Sequence, residues 1–140
     1  MSSYISKKDR RAVIERANRL CEYCLAPADY AFHPFCVDHI IAVSKGGKND
    51  LENLAYSCQN CNGSKYNKLI GIDPLTQRQV SLFNPRTQNW TVHFDWNVDF
   101  TIVIGKTACG RATVKTLKMN LPSTTNIRTA LVEIGVHPPR

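Results

Sequence analysis

Apolar residues at helical spacing predict one amphipathic helix near the start of the chain. Ser6 followed by Asp9 has the form of a helix N-cap with an acidic partner. Four apolar residues then fall on one stripe, namely Val13, Ile14, Ala17 and Leu20. We expect this helix to cover about residues 7–18.

The first turns of this predicted helix carry a group of basic residues, Lys7, Lys8, Arg10 and Arg11. Cations at a helix N-terminus oppose the helix dipole, at a cost of roughly a few tenths of a kcal/mol each. A contact with phosphate would explain their position, and a solvated surface cluster would explain it as well. All four are candidate residues for binding a polyanion.

Residues 21–67 show no period long enough for a large helix or strand, and they are dense in Cys, His, Asn and Gly. The run Gly46-Gly47, followed by Asn49-Asp50, predicts a turn or an irregular loop. This part of the chain is therefore expected to be rich in loops and in metal-ligating side chains.

Alternating apolar residues predict a β-hairpin further along the chain. Two runs alternate with polar or smaller residues, first Trp90, Val92, Phe94 and Trp96, then Phe100, Ile102 and Ile104. A turn at residues 97–99 can join them into a hairpin over residues 90–104. Helical patterns at about residues 108–120 and 124–134 can cover its aromatic face.

The predicted elements add up to an α+β fold. We expect a module at residues 1–70, with an accessory hairpin-and-helix region at residues 71–140 packed on or beside it. A chain of 140 residues has room for one modest core or for a small module with such an appendage.

Charge and hydropathy narrow the class of protein. Lys and Arg total 18 against 11 Asp and Glu, and this net charge of +7 favours a polyanionic partner without proving one. No apolar run of membrane-spanning length occurs, and the first residues lack the apolar segment of a secretory signal. The expected location is the cytoplasm, where thiols stay reduced.

Two CxxC pairs, Cys21 with Cys24 and Cys58 with Cys61, predict a structural zinc site. Each pair lets a tight turn present two thiolates, and two pairs complete a tetrahedral set of four sulfurs. Redox dithiols or disulfides are the alternative. The separation of the pairs, residues 25–57, indicates an inserted unit between them. Cys36 and Cys109 stand alone and are expected to be packed apolar residues.

Four short motifs lie in and around this inserted unit: Val37-Asp38-His39-Ile40-Ile41, Gly46-Gly47, Asn53-Leu54 and Cys61-Asn62-Gly63-Ser64-Lys65. In this order they resemble the HNH endonuclease superfamily over about residues 16–68. The resemblance implies a ββα-metal finger braced by the four-cysteine zinc site. Segments of residues 71–113 also resemble the C-terminal region of bacterial, notably cyanobacterial, HNH proteins.

The resemblance implies a role for each residue of these motifs. His39 would be the general base, since an imidazole is largely neutral at cellular pH, and Asn53 would fix the loop that carries it. Asp38 would be a metal ligand together with Asn62, which stands where many members have a last His, so the chain looks like an HNN variant. Two oxygen donors suit Mg²⁺ or Mn²⁺.

Lys65, three residues beyond Asn62, could contact a phosphate or lie solvated on the surface. The function implied is metal-dependent hydrolysis of phosphodiester bonds in DNA, with double-stranded DNA as the expected substrate, one metal ion and a His base. A zinc module that binds nucleic acid without cutting it is the main alternative. A redox protein that uses its cysteines is a third possibility, and it would leave His39 without a role.

Overall fold

The computed structural model describes residues 4–139 and has an α+β fold, as predicted. The described residues form five α-helices, which are α1 Lys7–Arg16, α2 Gln59–Lys65, α3 Trp90–His93, α4 Ala108–Thr116 and α5 Pro122–Glu133. The strands are β1 Cys36–His39, β2 Leu54–Ser57, β3 Ile70–Ile72, β4 Gln79–Ser81, β5 Phe94–Trp96 and β6 Val103–Gly105. They pair as three antiparallel two-stranded sheets, β1 with β2, β3 with β4 and β5 with β6.

The first helix begins as predicted, because Oγ of Ser6 accepts a hydrogen bond from the amide of Asp9 over 3.1 Å. It ends at Arg16, two residues before the predicted end. Asn18 and Arg19 have φ angles of 53° and 60°, which a right-handed helix does not allow. Val13 is completely buried and packs the helix into the core.

The strands β1 and β2 and the helix α2 form the expected ββα unit. In the sheet, Cys36 faces Ser57 at one end and His39 faces Leu54 at the other. All four residues of β2 are buried, so this strand lies inside the core. Helix α2 follows directly, and Cys58 is its N-cap.

The predicted hairpin over residues 90–104 is only partly correct. Trp90–His93 forms one helical turn, and the hairpin consists of the shorter strands β5 and β6. Nε1 of Trp90 donates to the carbonyl of Tyr23 over 2.8 Å, a long-range contact that the alternating pattern does not contain. Helices α4 and α5 are present, within a few residues of their predicted bounds.

Both halves of the chain contribute to one hydrophobic core. A single cluster of buried side chains joins Val13, Leu54 and Cys61 with Phe94 and Leu117, across the predicted boundary at residue 70. The C-terminal half also contacts the two CxxC turns directly. Arg86 forms an ion pair with Glu22, and Nδ2 of Asn60 donates to the carbonyls of Leu117 and Lys118 over 3.2 and 3.1 Å.

Within residues 4–139, none of the helices combines the length and hydrophobicity that crossing a membrane requires.

Candidate zinc centre and active-site cleft

The two CxxC turns meet and bring four sulfur atoms together. The ligand atoms of Cys21, Cys24, Cys58 and Cys61 lie within 4.8 Å of one another. Sγ of Cys24 is 3.7 Å from Sγ of Cys58, and sulfurs at about 2.3 Å from a tetrahedral zinc ion would be about 3.8 Å apart. Among the described residues, no other group of three or more Cys, His, Asp or Glu is so arranged. The cluster therefore fits one structural zinc ion.

Local hydrogen bonds shape each CxxC turn. The amide of Cys24 donates to Sγ of Cys21 over 3.5 Å, and the amide of Cys61 donates to Sγ of Cys58 over 3.3 Å. Burial acts to raise the pKa of Cys21, but hydrogen bonds from the other three thiols outweigh it and bring that pKa well below the usual range. The cluster thus favours the thiolate form, which binds a metal, at Cys21, while hydrogen bonds within the cluster raise the pKa values of Cys24 and Cys61.

A buried arginine from the C-terminal half lies beside the four cysteines. Arg128, on α5, is 4% exposed and donates to Oδ1 of Asn120 and to two backbone carbonyls. Burial lowers the pKa of Arg128, and the sulfurs of Cys24, Cys61 and Cys58 oppose this lowering. A positive group at this position suits the negative charge that four thiolates bring to a zinc site.

A second site lies at the C-terminal end of β1. Here an open cleft of about 250 Å³ is lined by Asp38, His39 and Asn62. The other lining residues are Val37, Ala42, Val43, Ser44, Tyr66 and Asn67. Asp38 and His39 are the last two residues of β1, and Asn62 belongs to α2. The ββα unit therefore brings an imidazole, a carboxylate and an amide to one cleft.

The carboxylate of Asp38 is 5% exposed and is held by two neighbours. Its Oδ2 accepts from the hydroxyl of Tyr23 over 2.8 Å and pairs with Nζ of Lys65 at 3.1 Å. Burial raises the pKa of Asp38, and Lys65 and Tyr23 act in the opposite direction. Both contacts use the same oxygen, so Oδ1 is the atom that can face a ligand.

Lys65 is not on the surface, which corrects the prediction of a phosphate contact. It is 2% exposed, and its Nζ donates to the carbonyls of His39 and Ile40 over 3.2 and 3.0 Å while pairing with Asp38. The physical reason is the buried carboxylate, which requires a cation next to it. Lys65 therefore fixes the end of β1 from within.

Asn53 holds the loop that follows β1. Its Oδ1 accepts from the amide of Ile41 over 2.8 Å, and its Nδ2 donates to the carbonyls of Ile41 and Lys48, each over 2.9 Å. Gly47 lets the loop close, because a Cβ at that position would lie 1.7 Å from the carbonyl oxygen of Ile41. Asn53 and Gly47 thus hold the loop between β1 and β2 in a closed form.

The imidazole of His39 is half-buried and has a partner that the sequence did not indicate. Its Nε2 lies 2.7 Å from Oδ1 of Asn49, a residue of the loop that Asn53 holds. Its position at the cleft is therefore set by β1 and by Asn49.

The four basic residues predicted on α1 are all exposed. Three of them, Lys7, Arg10 and Arg11, line a shallow surface groove that continues to Asn18 and Arg19. Lys8 is exposed outside this groove. The segment before α1 contacts the loop that Asn53 holds, because Nδ2 of Asn49 donates to the carbonyl of Tyr4 over 3.1 Å. The helix thus begins close to the candidate active site.

Three residues of these sites were missed from the sequence: Tyr23, Asn49 and Arg128. Tyr23 lies between two predicted ligands, but nothing in the CxxC motif points to its contact with Asp38. Asn49 belongs to a turn signal that explains an asparagine without any function. Arg128 lies in the C-terminal half of the chain, 67 residues after Cys61.

Residues 21–68 match the family model described as HNH endonuclease, and both cysteine pairs and the cleft residues Asp38, His39, Asn53 and Asn62 fall within them. No curated protein and no solved structure gives a significant match. A match to this family suggests nuclease activity or nucleic-acid binding, and the matched residues include the ββα unit described above.

Proposed function

We propose that the protein is a metal-dependent endonuclease that hydrolyses phosphodiester bonds in double-stranded DNA, a proposal that the match of residues 21–68 to the HNH endonuclease model supports. The observation that carries this proposal is the cleft in which His39, Asp38 and Asn62 come together. A zinc module that only binds nucleic acid has no need of that combination. The net charge of +7 is consistent with a polyanionic substrate.

The cleft residues fit a hard divalent ion. Asp38 offers a carboxylate oxygen that its contacts with Tyr23 and Lys65 do not use, and Asn62 offers a neutral amide oxygen. Oxygen donors of this kind are the ligands that Mg²⁺ and Mn²⁺ prefer. Bound there, such an ion would neutralise charge on the scissile phosphate and stabilise the departing 3′ oxygen.

His39 acts as the general base in this proposal. The imidazole accepts a proton from a water molecule as the water oxygen attacks phosphorus, and the bond from phosphorus to the 3′ oxygen breaks. Asn53 contributes by keeping the loop after His39 in place through its three hydrogen bonds. Lys65 contributes from inside, by holding the carbonyls of His39 and Ile40.

The basic face of α1 is proposed to contact the DNA backbone. Lys7, Arg10 and Arg11 line one groove, and Lys8 is exposed beside it. Phosphate contacts from Lys and Arg give affinity without sequence preference. The hydrogen bond from Asn49 to the carbonyl of Tyr4 joins the segment before α1 to the loop after β1, which supports a continuous path from this helix to the cleft.

Zinc is proposed to have a structural role only. Four cysteine ligands close a tetrahedral site and leave no position for substrate. The first CxxC turn precedes β1 and the second lies at the start of α2, so one ion between them would tie the segment before the ββα unit to its helix.

A zinc protein that binds nucleic acid without cutting it is the second candidate. One observation favours it: the ammonium of Lys65 is 3.1 Å from Asp38, and a fixed cation there opposes the binding of a divalent ion. The two functions differ in one outcome, which is whether purified protein cuts DNA.

The test is cleavage of supercoiled plasmid by zinc-loaded protein in Mg²⁺ or Mn²⁺. We expect His39→Ala to lower the rate by about 100- to 10,000-fold, the usual contribution of a general base. His33→Ala is the matched control, because His33 is exposed and lies outside the cleft. Equal rates for His39→Ala and the parent would exclude His39 as the base. No cutting by the parent, with DNA binding intact, would favour the second candidate.

A further inference from the structure

We propose that Asn49 is a positioning residue for His39, which holds the neutral imidazole with its proton on Nε2 and leaves Nδ1 to accept the proton from water. This inference rests on the proposed function, because it assigns the nitrogen with which His39 acts. Asn49 is not part of the four motifs that resemble the HNH family, and its contact with His39 does not involve a proposed metal ligand.

The hydrogen bonds of Asn49 determine which way its amide group faces. The carbonyl oxygen of Tyr4 can only accept, and the atom of Asn49 that contacts it at 3.1 Å must therefore be the donor Nδ2. The other end of the amide, Oδ1, then faces Nε2 of His39 at 2.7 Å. The reverse orientation would put two oxygen atoms together at Tyr4.

An amide oxygen can only accept, so the facing nitrogen of His39 must donate. In a neutral imidazole one nitrogen carries the proton and the other carries the lone pair. A proton held on Nε2 by Asn49 therefore leaves the lone pair on Nδ1. Tyr4, Asn49 and His39 form a chain of hydrogen bonds with one direction, from the imidazole to the backbone carbonyl.

Two contacts hold the loop on either side of Asn49. Asn53 binds the carbonyl of Lys48, the residue immediately before Asn49, over 2.9 Å. The close approach of Gly47 to Ile41 fixes the same loop from the other side. Asn53 thus holds the backbone of the loop, and Asn49 uses that backbone to orient the imidazole.

The most direct test reads the tautomer without any cleavage. Zinc-loaded protein with ¹⁵N-labelled histidine would be studied by long-range ¹H–¹⁵N NMR at about pH 8, where an ordinary imidazole is neutral. The His39 signals are identified by their loss in His39→Gln. We expect the tautomer with a proton on Nε2 in the parent and a mixture of tautomers in Asn49→Ala. Asn89→Ala, at an exposed asparagine in the C-terminal half, should match the parent.

The kinetic test uses the same variants. Asn49→Ala should lower kcat for plasmid cleavage by about 10- to 100-fold, as loss of orienting partners typically does, with little change in KM. Asn49→Asp keeps an oxygen that accepts from Nε2 and should recover part of that loss. Thermal unfolding and zinc content are measured for each variant, so that a folding defect is recognised.

The outcomes separate this inference from the proposed function. A parent protein with its proton on Nδ1 of His39 would overturn the role of Asn49, whether or not the protein cuts DNA. A mixture of tautomers in Asn49→Ala with an unchanged kcat would overturn it too. A parent that shows the Nε2 proton but does not cut would contradict the proposed function and leave the hydrogen-bond chain established.

Discussion

Two buried aspartates, Asp38 in the cleft and Asp73 in the C-terminal half, are each paired with a cation but are held in different ways. Asp73 is fully enclosed, and both of its oxygens are used. Arg111 donates to Oδ1 and to Oδ2 over 2.9 Å each, while the amide of Leu75 and the hydroxyl of Thr76 supply one further bond to each oxygen. Asp38 receives its two contacts on Oδ2 alone.

The pKa values of the two carboxyls move in opposite directions. Hydrogen bonds from Arg111 hold the pKa of Asp73 well below its usual range, since they outweigh the effect of burial. Burial dominates at Asp38 and raises its pKa, although Lys65 and Tyr23 oppose it. A carboxylate with a full set of donors stabilises a fold, whereas one with an unused oxygen beside a cleft can still bind a ligand. These contacts support a structural role for Asp73 and the proposed metal-binding role for Asp38.

The largest effect is expected at the zinc centre. Cys58→Ser removes one sulfur ligand and should abolish stoichiometric zinc binding and the cooperative unfolding of the whole chain. Structural zinc contributes roughly 10 to 16 kcal/mol in small zinc modules. The measurement is zinc content together with thermal unfolding followed by circular dichroism. Cys109→Ser, outside the cluster, should keep its zinc, and a Cys58→Ser protein that unfolds like the parent would contradict the structural role.

The next largest effect is expected for Lys65→Met, which leaves Asp38 buried without its cation. Breaking a buried pair from one side costs about 3 to 5 kcal/mol of unfolding free energy, measurable by urea denaturation. Lys68→Met, at an exposed lysine three residues away, should change stability by less than about 0.5 kcal/mol. Adding Asp38→Asn to Lys65→Met should recover part of the loss. No recovery would show that the ion pair is not the cause.

Exchanging each aspartate for asparagine separates chemistry from structure. Asp38→Asn removes a charged metal ligand and should lower the cleavage rate about 100-fold or more, since such ligation is worth several kcal/mol in the transition state. Asp73→Asn should destabilise the protein yet leave the rate of the folded enzyme unchanged. Rates are compared at a temperature where both variants are folded. A larger loss of rate in Asp73→Asn would reverse the assignment.

The stabilising effect of Asp73 should depend on pH with a definite sign. Its pKa is lower in the folded state, so its contribution is complete above the unfolded value of about 3.9 and is lost as the pH falls towards the folded value. The difference in unfolding free energy between the parent and Asp73→Asn should therefore shrink between pH 6 and pH 3. Asp99→Asn, at an exposed residue, should show no comparable change. A difference that grows in acid would contradict the low pKa.

The smallest effect per residue is expected on α1. Replacing Lys7, Arg10 and Arg11 by alanine should weaken DNA binding at low salt and reduce the slope of log affinity against log salt by about one per lost phosphate contact. The matched variant replaces Lys106, Lys115 and Lys118, which are exposed in the C-terminal half. Fluorescence anisotropy at several salt concentrations measures both. Equal slopes for the two triple variants would mean that α1 has no special contact with DNA.

The sequence predicted best what is local in the chain. A CxxC turn needs only its own residues to present two sulfurs, so the cysteine cluster could be predicted from spacing, whereas the ββα unit was implied only by the family resemblance. The helix cap at Ser6 is a contact across three residues and was predicted for the same reason. The cleft residues were predicted through the family resemblance and not from spacing alone.

The sequence failed where a distant partner decides the structure. Trp90 forms a helical turn and donates to Tyr23, 67 residues earlier, instead of continuing the strand. Lys65 has the chemistry of a phosphate contact but is paired with a carboxylate 27 residues earlier, in the interior. The partner of His39 is a loop asparagine whose local pattern only indicates a turn. Side-chain partners of this kind depend on packing, which no local pattern contains.

The most direct measurement is the rate of plasmid cleavage by zinc-loaded protein as a function of added Mg²⁺ or Mn²⁺, with zinc content monitored throughout. We predict no cleavage in metal-stripped buffer and a rate that rises to saturation with the added ion. Asp38→Asn should lose this response to the ion, whereas Asp73→Asn should keep it. Robust cleavage in metal-stripped buffer, or the same metal dependence in all three proteins, would contradict a catalytic ion held by Asp38 beside His39.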